Sequence, residues 1–248
     1  MNFKIILQAR ANSTRLPGKM MRDFFRGQTI PELIIENLKR YFSLEDIVLA
    51  TTSHPNDDEL ANLAFRQGIQ LFRGDEQDVL NRFIDAAEAA QTDIVVRVCA
   101  DNPFLQVDAI VELLNAFEKR KADYLSFKLD DDTPVIKSHL GLFAEVTTLS
   151  TLKRAAELTN DRFYHEHVTN YIYGNDDKFD VHWLDLPSFL GDRIDIRLTI
   201  DTLEDFELCQ EIYREIHPDC SAQNLLNAID LKPSLLKRMK DQIVKNSK

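Results

Sequence analysis

Three cations stand close together in one short loop near the start of the sequence. Arg10, Arg15 and Lys19 fall within residues 8–19, which read QARANSTRLPGK. The whole chain carries a formal net charge of −11, so a local cluster of positive charge favours a ligand with several negative charges. The small polar residues of the loop would also allow successive backbone N–H groups to face phosphate oxygens. The loop therefore predicts a triphosphate site, with a solvated basic surface loop as the alternative.

Two aspartates are candidate metal ligands. Asp101 follows an apolar run at 94–99, Asp201 follows an alternating run at 194–200, and both runs predict strands. Ligands of α/β sheets bind at the carboxyl ends of strands, and Mg²⁺ is held by one or two carboxylates together with phosphate oxygens and waters. Each aspartate would equally suit the N-cap position of a following helix, where its side chain accepts hydrogen bonds from backbone N–H groups. The residues alone leave metal binding and helix capping open.

Short apolar runs rich in β-branched residues predict the strands that position these groups. They lie at residues 3–7, 47–51, 94–99 and 124–127. Segments with helical periodicity alternate with these runs, at residues 31–41, 57–67, 78–90 and 107–121. This alternation predicts an α/β fold with a mixed, mainly parallel sheet between layers of helices.

The pattern changes after residue 129. An acidic loop is followed by a segment at 141–146, a helix at 150–158 and strand-like runs at 179–184 and 194–200. We interpret residues 130–190 as an arm inserted on the same sheet and residues 221–248 as a helical carboxyl-terminal segment. The whole chain, 1–248, is then one domain.

Composition restricts the partners. The chain has 41 acidic and 30 basic residues, so its mean surface potential repels nucleic acids and anionic membranes. The apolar runs are far shorter than a membrane helix, and Met1 leads into a strand-like run instead of a signal sequence, which predicts a cytoplasmic protein. The three cysteines lack C-x-x-C spacing, which argues against a disulfide framework or a zinc site.

Five segments, in this order, resemble the motifs of a known family. They read QARANSTRLPGK (8–19), FRGDEQDVL (72–80), ADNP (100–103), EHVT (166–169) and RLTIDTLED (197–205). They are similar to the motifs of cytidylyltransferases of the spore-coat polysaccharide (SpsF) type, which are related to the enzymes that make CMP-sialic acid and CMP-Kdo. The resemblance extends to about residue 210. It implies a Rossmann-like sheet of the nucleotide-diphospho-sugar transferase, or GT-A-like, fold.

The resemblance also implies an activity. Members of this family transfer CMP from CTP to a small sugar acceptor with release of pyrophosphate, so Mg²⁺ is the expected cofactor and surface polysaccharide biosynthesis the expected process. A 2-keto-3-deoxy sugar acid is the acceptor that the resemblance favours, with a phosphorylated sugar or a polyol as alternatives. In the related sugar-acid enzymes the region of the arm mediates dimer contact, so a homodimer is expected.

The resemblance assigns roles residue by residue. The catalytic residues would be Arg10, Arg15, Lys19 and Asp101. The nucleotide would contact Gln8, Ala9, Arg10, Asn12, Ser13, Arg15, Lys19, Arg73 and Asp101. The acceptor would contact Arg97, Glu145, Glu166 and His167, and the metal ligands would be Asp101 and Asp201. The side chains of Arg15 and Lys19 are expected to reach into solvent-filled space.

The chain departs from the family pattern at four positions. Asn12 replaces a glycine, although Asn tolerates a positive φ better than most residues. Asp75 replaces a serine, His165 an arginine, and Phe143 interrupts a motif in the acceptor region. Two rival interpretations stay open. Residues 130–132 contain a D-x-D pattern, which glycosyltransferases of similar fold use to hold manganese, and the chain could also be a nucleotide-binding module without catalysis.

Overall fold

A seven-stranded sheet is the centre of the molecule. The computed structural model describes residues 1–246. The strands are β1 (Phe3–Gln8), β2 (Ile47–Thr52), β3 (Gln70–Gly74), β4 (Ile94–Cys99), β5 (Tyr124–Lys128), β6 (Glu145–Thr148) and β7 (Val181–Asp185). They lie in the order β3-β2-β1-β4-β6-β5-β7, in which β6 is antiparallel to both its neighbours and the other adjacent pairs are parallel. The predicted α/β fold with a mixed, mainly parallel sheet is confirmed.

Helices cover both faces of this sheet. They are α1 (Ile30–Leu38), α2 (Asp58–Gln67), α3 (Val79–Ala89), α4 (Val107–Lys119), α5 (Leu149–Leu158), α6 (Arg162–Glu166), α7 (Asn170–Tyr173), α8 (Leu203–Ile216), α9 (Ala222–Asp230) and α10 (Pro233–Lys245). Reciprocal capping boxes start α1, through Thr29 and Glu32, and α8, through Thr202 and Asp205. The last two residues of the predicted segment 221–248 lie outside the described residues.

Alternating side chains of the central strands belong to two hydrophobic cores, one on each face of the sheet. On β1, Ile5 and Leu7 belong to one core and Ile6 to the other, and all three are fully buried. The first core also takes residues from α1, α2, α4, α8, α9 and α10, whereas the second takes residues from α3, α5 and α7. Because helices cover both faces, the carboxyl edge of the parallel strands is where the loops are available for a ligand.

The predicted strand at 194–200 is wrong. Ile196, Leu198 and Ile200 are buried as the alternating pattern requires, but no strand forms there. Leu198 N–H donates to the carbonyl of His139 at 2.8 Å, and Ile200 N–H donates to the carbonyl of Asp101 at 3.0 Å. The alternating sequence pattern therefore reflects side chains that are alternately buried against neighbouring loops. The edge strand β3 was not predicted, because it is only partly buried and its apolar run is short.

Membrane-spanning helices are absent from the described part of the chain. None of the helices among residues 1–246 combines the length and the apolar character that a bilayer crossing requires.

Candidate active site

A cavity of about 190 Å³ lies where β1 and β4 end side by side. The chain runs from β1 outward to β3 on one side and continues with β4 on the other, so this is the point where the strand order reverses, at which α/β sheets bind ligands. Its walls bring together most of the residues predicted for the nucleotide and metal sites: Gln8, Ala9, Arg10, Ser13, Arg15, Lys19, Asp101 and Asp201, with Thr14, Met20 and Cys99.

A larger cavity of about 670 Å³ lies at the opposite ends of the strands, beside Asn2 and Ile94. Its wall is mostly apolar, and its charged residues do not include the predicted cation cluster or aspartates. We assign the chemistry to the smaller cavity because cations and carboxylates converge there and because it lies at the carboxyl edge of the sheet.

Buried Asp57 fixes the loop that carries the cations. Its carboxylate accepts a hydrogen bond from Ala11 N–H at 2.6 Å and others from the hydroxyls of Thr51 and Thr52. Burial opposes the ionisation of Asp57, but these hydrogen bonds outweigh it and lower its pKa below the ordinary value. Sequence reasoning missed this anchor, because it placed Asp57 only at the start of the predicted helix at 57–67 and gave it no role.

Asn12 ties this loop to two others. Its side chain donates to Glu76 at 3.1 Å and accepts from Asn56 at 2.7 Å. Its backbone does not have a positive φ, unlike that of Gly18, where φ is 69°. Replacement of the family glycine by Asn12 therefore needs no left-handed backbone, and the asparagine adds two contacts between loops.

Two of the three cations of the cavity, Arg15 and Lys19, are paired with the two candidate metal ligands. Arg15 Nη2 lies 2.6 Å from Asp201 Oδ1, and Lys19 Nζ lies 3.1 Å from Asp101 Oδ2. Lys19 also donates to the carbonyl of Ile200 at 2.6 Å and is only 7% exposed, so the expectation that its side chain reaches into solvent-filled space is wrong. Lys19 begins a short helical turn at 19–21, in which Lys19 and Met20 are buried, and it also lines the cavity. The side chain of Arg15 is 43% exposed, as expected.

Neither aspartate caps a helix. The N-cap of α8 is Thr202 and that of α4 is Gln106, so the capping alternative is wrong for Asp201 and Asp101. Among residues 1–246, no group of three or more His, Cys, Asp or Glu side chains is arranged to hold a metal ion. Two carboxylates on one cavity nevertheless fit Mg²⁺, which completes its shell with waters and phosphate oxygens.

Arg197 positions Asp201, and sequence reasoning gave it no role. Its guanidinium is 1% exposed and donates to both carboxylate oxygens of Asp205, at 2.7 and 2.9 Å, and to Asp201 Oδ2 at 3.0 Å. Burial opposes ionisation of Asp205, but the hydrogen bonds and charge of Arg197 hold its pKa below the ordinary value. The spacing of these residues, four and eight positions after the arginine, was a usable signal, since all three lie in one motif.

We expect Arg197→Met to destabilise the protein by about 3–5 kcal/mol, because it leaves the buried carboxylate of Asp205 without its partner. Denaturant unfolding measures this cost. Arg120→Met is the matched control, since it breaks an exposed pair with Asp180 and should cost less than about 1 kcal/mol. Equally small losses of stability in both variants would show that the ion pair between Arg197 and Asp205 does not stabilise this segment.

The four residues predicted for the acceptor are not gathered at the cavity. Arg97 forms an ion pair with Glu145, which is 1% exposed and accepts hydrogen bonds from Tyr124 at 2.5 Å and Thr169 at 2.8 Å. These two residues form an internal network between β4 and β6. Glu166 is exposed, and the ring of His167 packs on that of Phe163. Acceptor binding by these residues stays a prediction.

Two arginines lie on the side of β3. Arg73 donates to the carbonyls of Thr52 and His54 and pairs with Asp58 at 2.7 Å, so its guanidinium links β3 to the loop after β2. Its predicted contact with the nucleotide stays a prediction. Arg82 was missed. It is 1% exposed, and burial together with nearby Arg10 lowers its pKa to about 10, so it remains a cation at neutral pH.

His165, at the family's arginine position, joins α6 to the loop before α3. Its Nδ1 lies 2.9 Å from the Asp78 carboxylate and its Nε2 lies 3.0 Å from the carbonyl of Thr159. Partial burial opposes protonation, but these hydrogen bonds and the charge of Asp78 outweigh it and raise the pKa of His165 above its ordinary value. The raised pKa favours the imidazolium, the form of His165 that carries a positive charge as an arginine does.

We expect His165→Gln to cost more stability at pH 5.5 than at pH 9. A raised pKa in the folded state contributes stability that is fully present below the unfolded value, about 6.5, and is lost as pH rises through the folded value. Asp78 stays ionised in this range because its own pKa is lowered. Denaturant unfolding at both pH values measures the difference, and a cost independent of pH would contradict it.

Comparisons with known proteins identify a family model and several relatives that match most of this chain. A family model described as Cytidylyltransferase matches residues 4–231. Protein MJ1063 of Methanocaldococcus jannaschii is 34% identical over 231 residues, covering 93% of this chain and 91% of that protein. The spore coat polysaccharide biosynthesis protein SpsF of Bacillus subtilis is 32% identical over 237 residues, covering 92% and 94%. The structure of a cytidylyltransferase from Leptospira borgpetersenii superposes with a TM-score of 0.82 at 29% identity, covering 95% and 97%.

Proposed function

The chain belongs to the cytidylyltransferase family, and we propose that it transfers CMP from CTP to a small sugar acceptor with release of pyrophosphate. One observation carries the proposal: a single cavity at the switch point of the sheet is lined by Arg10, Arg15 and Lys19 and by Asp101 and Asp201. Three cations suit the phosphates of a nucleoside triphosphate, and two carboxylates suit its divalent ion.

The ion pairs of the cavity imply an exchange of partners on binding. Phosphate oxygens would take Arg15 and Lys19 from their carboxylates, while Asp101 and Asp201 would turn to Mg²⁺. Either ligand alone would leave charged groups of the cavity without partners. We therefore infer that CTP and the metal strengthen each other's binding. Bound Mg²⁺ would act as a Lewis acid on the phosphate oxygens.

In the proposed reaction an acceptor oxygen attacks the α-phosphorus of CTP in line with the departing pyrophosphate. The new bond joins that oxygen to phosphorus, and the bond between the α-phosphorus and the bridging oxygen to the β-phosphate breaks. Arg10, Arg15 and Lys19 would neutralise the charge that grows on the leaving group. Burial raises the pKa of the Cys99 thiol in the cavity wall to about 11, so Cys99 stays neutral and is a poor nucleophile. Cys99 is therefore not expected to form a covalent intermediate with CMP.

We propose a 2-keto-3-deoxy sugar acid as the acceptor, because the sequence motifs resemble those of enzymes that make CMP-sialic acid and CMP-Kdo. The name of the Bacillus subtilis relative supports a role in surface polysaccharide biosynthesis. We also propose that the chain is a single domain and that it forms a homodimer through the arm at 130–190. Sedimentation as a monomer at micromolar concentration would count against the dimer.

The test is a screen of acceptors with CTP and Mg²⁺ for release of pyrophosphate. The panel comprises 2-keto-3-deoxy sugar acids, phosphorylated sugars and polyols, with UTP, ATP and GTP in parallel reactions. We expect acceptor-dependent release with CTP. A glycosyltransferase would instead release a nucleotide from a nucleotide-sugar, and a silent binding module would bind CTP without releasing pyrophosphate.

A further inference from the structure

A second, smaller cavity lies beside the segments that carry the two aspartates. It measures about 30 Å³ and is lined by Asn102, Val135, Ile136, Ser138, Gly141, Leu142, Phe143 and Thr199. Two of these lining residues each have a buried side-chain oxygen without a hydrogen-bond partner among residues 1–246, namely Asn102 Oδ1 and Thr199 Oγ1. Asn102 as a whole is 5% exposed.

The size and chemistry of this cavity fit a water molecule. A buried polar atom without a partner costs about 1–3 kcal/mol, and nearly all such atoms in folded proteins are satisfied. About 10–15 Å³ is enough for one water, whereas a sugar or a nucleotide needs far more than 30 Å³. Gly141, with φ of 60°, keeps the space open, since a Cβ there would lie 2.9 Å from Asn102 Oδ1 and 3.0 Å from Thr199 Cγ2.

The position of the cavity connects it to the active site. Asn102 directly follows Asp101, and Thr199 lies two residues before Asp201. The segment before Asp201 is not part of the sheet, so hydrogen bonds to neighbouring loops and burial of its side chains hold it in place. One of them is the hydrogen bond from Ile200 N–H to the carbonyl of Asp101 at 3.0 Å, beside the cavity.

We propose that one buried water bridges Asn102 and Thr199 and that these two are positioning residues for Asp101 and Asp201. The water would donate a hydrogen bond to Asn102 Oδ1 and accept one from the Thr199 hydroxyl. It thereby locks the two irregular segments together and sets the separation of the two carboxylates. The inference rests on the proposed function, because the carboxylates need a fixed separation only if they share a metal ion.

The matched variants Thr199→Val and Thr199→Ser test the bridge, because valine has nearly the shape of threonine and serine keeps its hydroxyl. The readout is the affinity for Mn²⁺ in the presence of saturating CTP. It is measured from the electron paramagnetic resonance signal of the Mn²⁺ that stays free in solution. We expect about a tenfold or larger loss of Mn²⁺ affinity for Thr199→Val, the range typical of residues that orient metal ligands, and near wild-type affinity for Thr199→Ser. CTP affinity without metal should change less than about twofold in both.

A double-mutant cycle with Asn102→Leu adds a second measurement. Both side chains act through the same water. The double variant that combines Asn102→Leu with Thr199→Val should therefore lose little more Mn²⁺ affinity than the single variant with the larger loss. Full additivity, or wild-type Mn²⁺ affinity in folded Thr199→Val, would overturn the bridge while leaving the proposed function intact. A wild-type protein that binds CTP but no Mn²⁺ would overturn the metal site of the proposed function as well.

Discussion

Asp101→Asn and Asp201→Asn are each expected to lower turnover by two or more orders of magnitude while the protein stays folded. Amide oxygens are poorer ligands for Mg²⁺ than carboxylates, and the loss corresponds to about 3 kcal/mol of transition-state stabilisation. The substitutions are nearly isosteric. Neither aspartate caps a helix, and an asparagine oxygen can still accept the hydrogen bonds from Arg197 and Lys19, so the variants should stay folded with a modest loss of stability. Turnover as a function of Mg²⁺ concentration, with a thermal unfolding curve for each variant, measures both effects.

The matched control is Asp46→Asn, which removes a partly buried carboxylate paired with Lys4, away from the candidate active site. It should keep wild-type turnover and metal dependence. Two folded variants at 101 and 201 with wild-type turnover and wild-type response to Mg²⁺ would remove both aspartates from the mechanism.

Lys19→Met is expected to lower turnover about a hundredfold and to weaken CTP binding, since Lys19 is one of the three cations that line the cavity proposed to hold the phosphates of CTP. It should also lower stability by about 1–3 kcal/mol, because the carbonyl of Ile200 loses its donor in a buried position. Calorimetric titration with CTP and denaturant unfolding measure the two effects separately.

Arg15→Met provides the comparison for Lys19. Arg15 is partly exposed, so its removal should weaken CTP binding but change stability by less than about 1 kcal/mol. Unchanged CTP affinity in both variants would remove the loop from the site, whatever happens to stability.

The central fold was predictable because its signals are local. The runs at β1, β2, β4 and β5 are short, apolar and rich in β-branched residues, and each forms a strand within one or two residues of its predicted ends. The loop at 8–19 could be picked out as a candidate site because its three cations lie within ten positions of each other. The position of Asp101 followed from the strand before it.

Features made by distant segments could not be predicted. The partners of Lys19 are Asp101 and the carbonyl of Ile200, which are far away in sequence, so no local pattern revealed that Lys19 is buried. The segment 194–200 has the alternation of a strand, but its neighbours are loops, and that follows only from the packing. The same applies to the cavity between Asn102 and Thr199.

The most direct test of CMP transfer is the fate of the phosphates of CTP. Reactions with Mg²⁺ and an accepted sugar would use CTP labelled with radioactive phosphorus at either the α or the γ position, followed by separation of the products. We expect the α label to appear in the sugar nucleotide and the γ label in pyrophosphate, in equal amounts. Orthophosphate from the γ position, with no label on the sugar, would indicate hydrolysis and contradict CMP transfer.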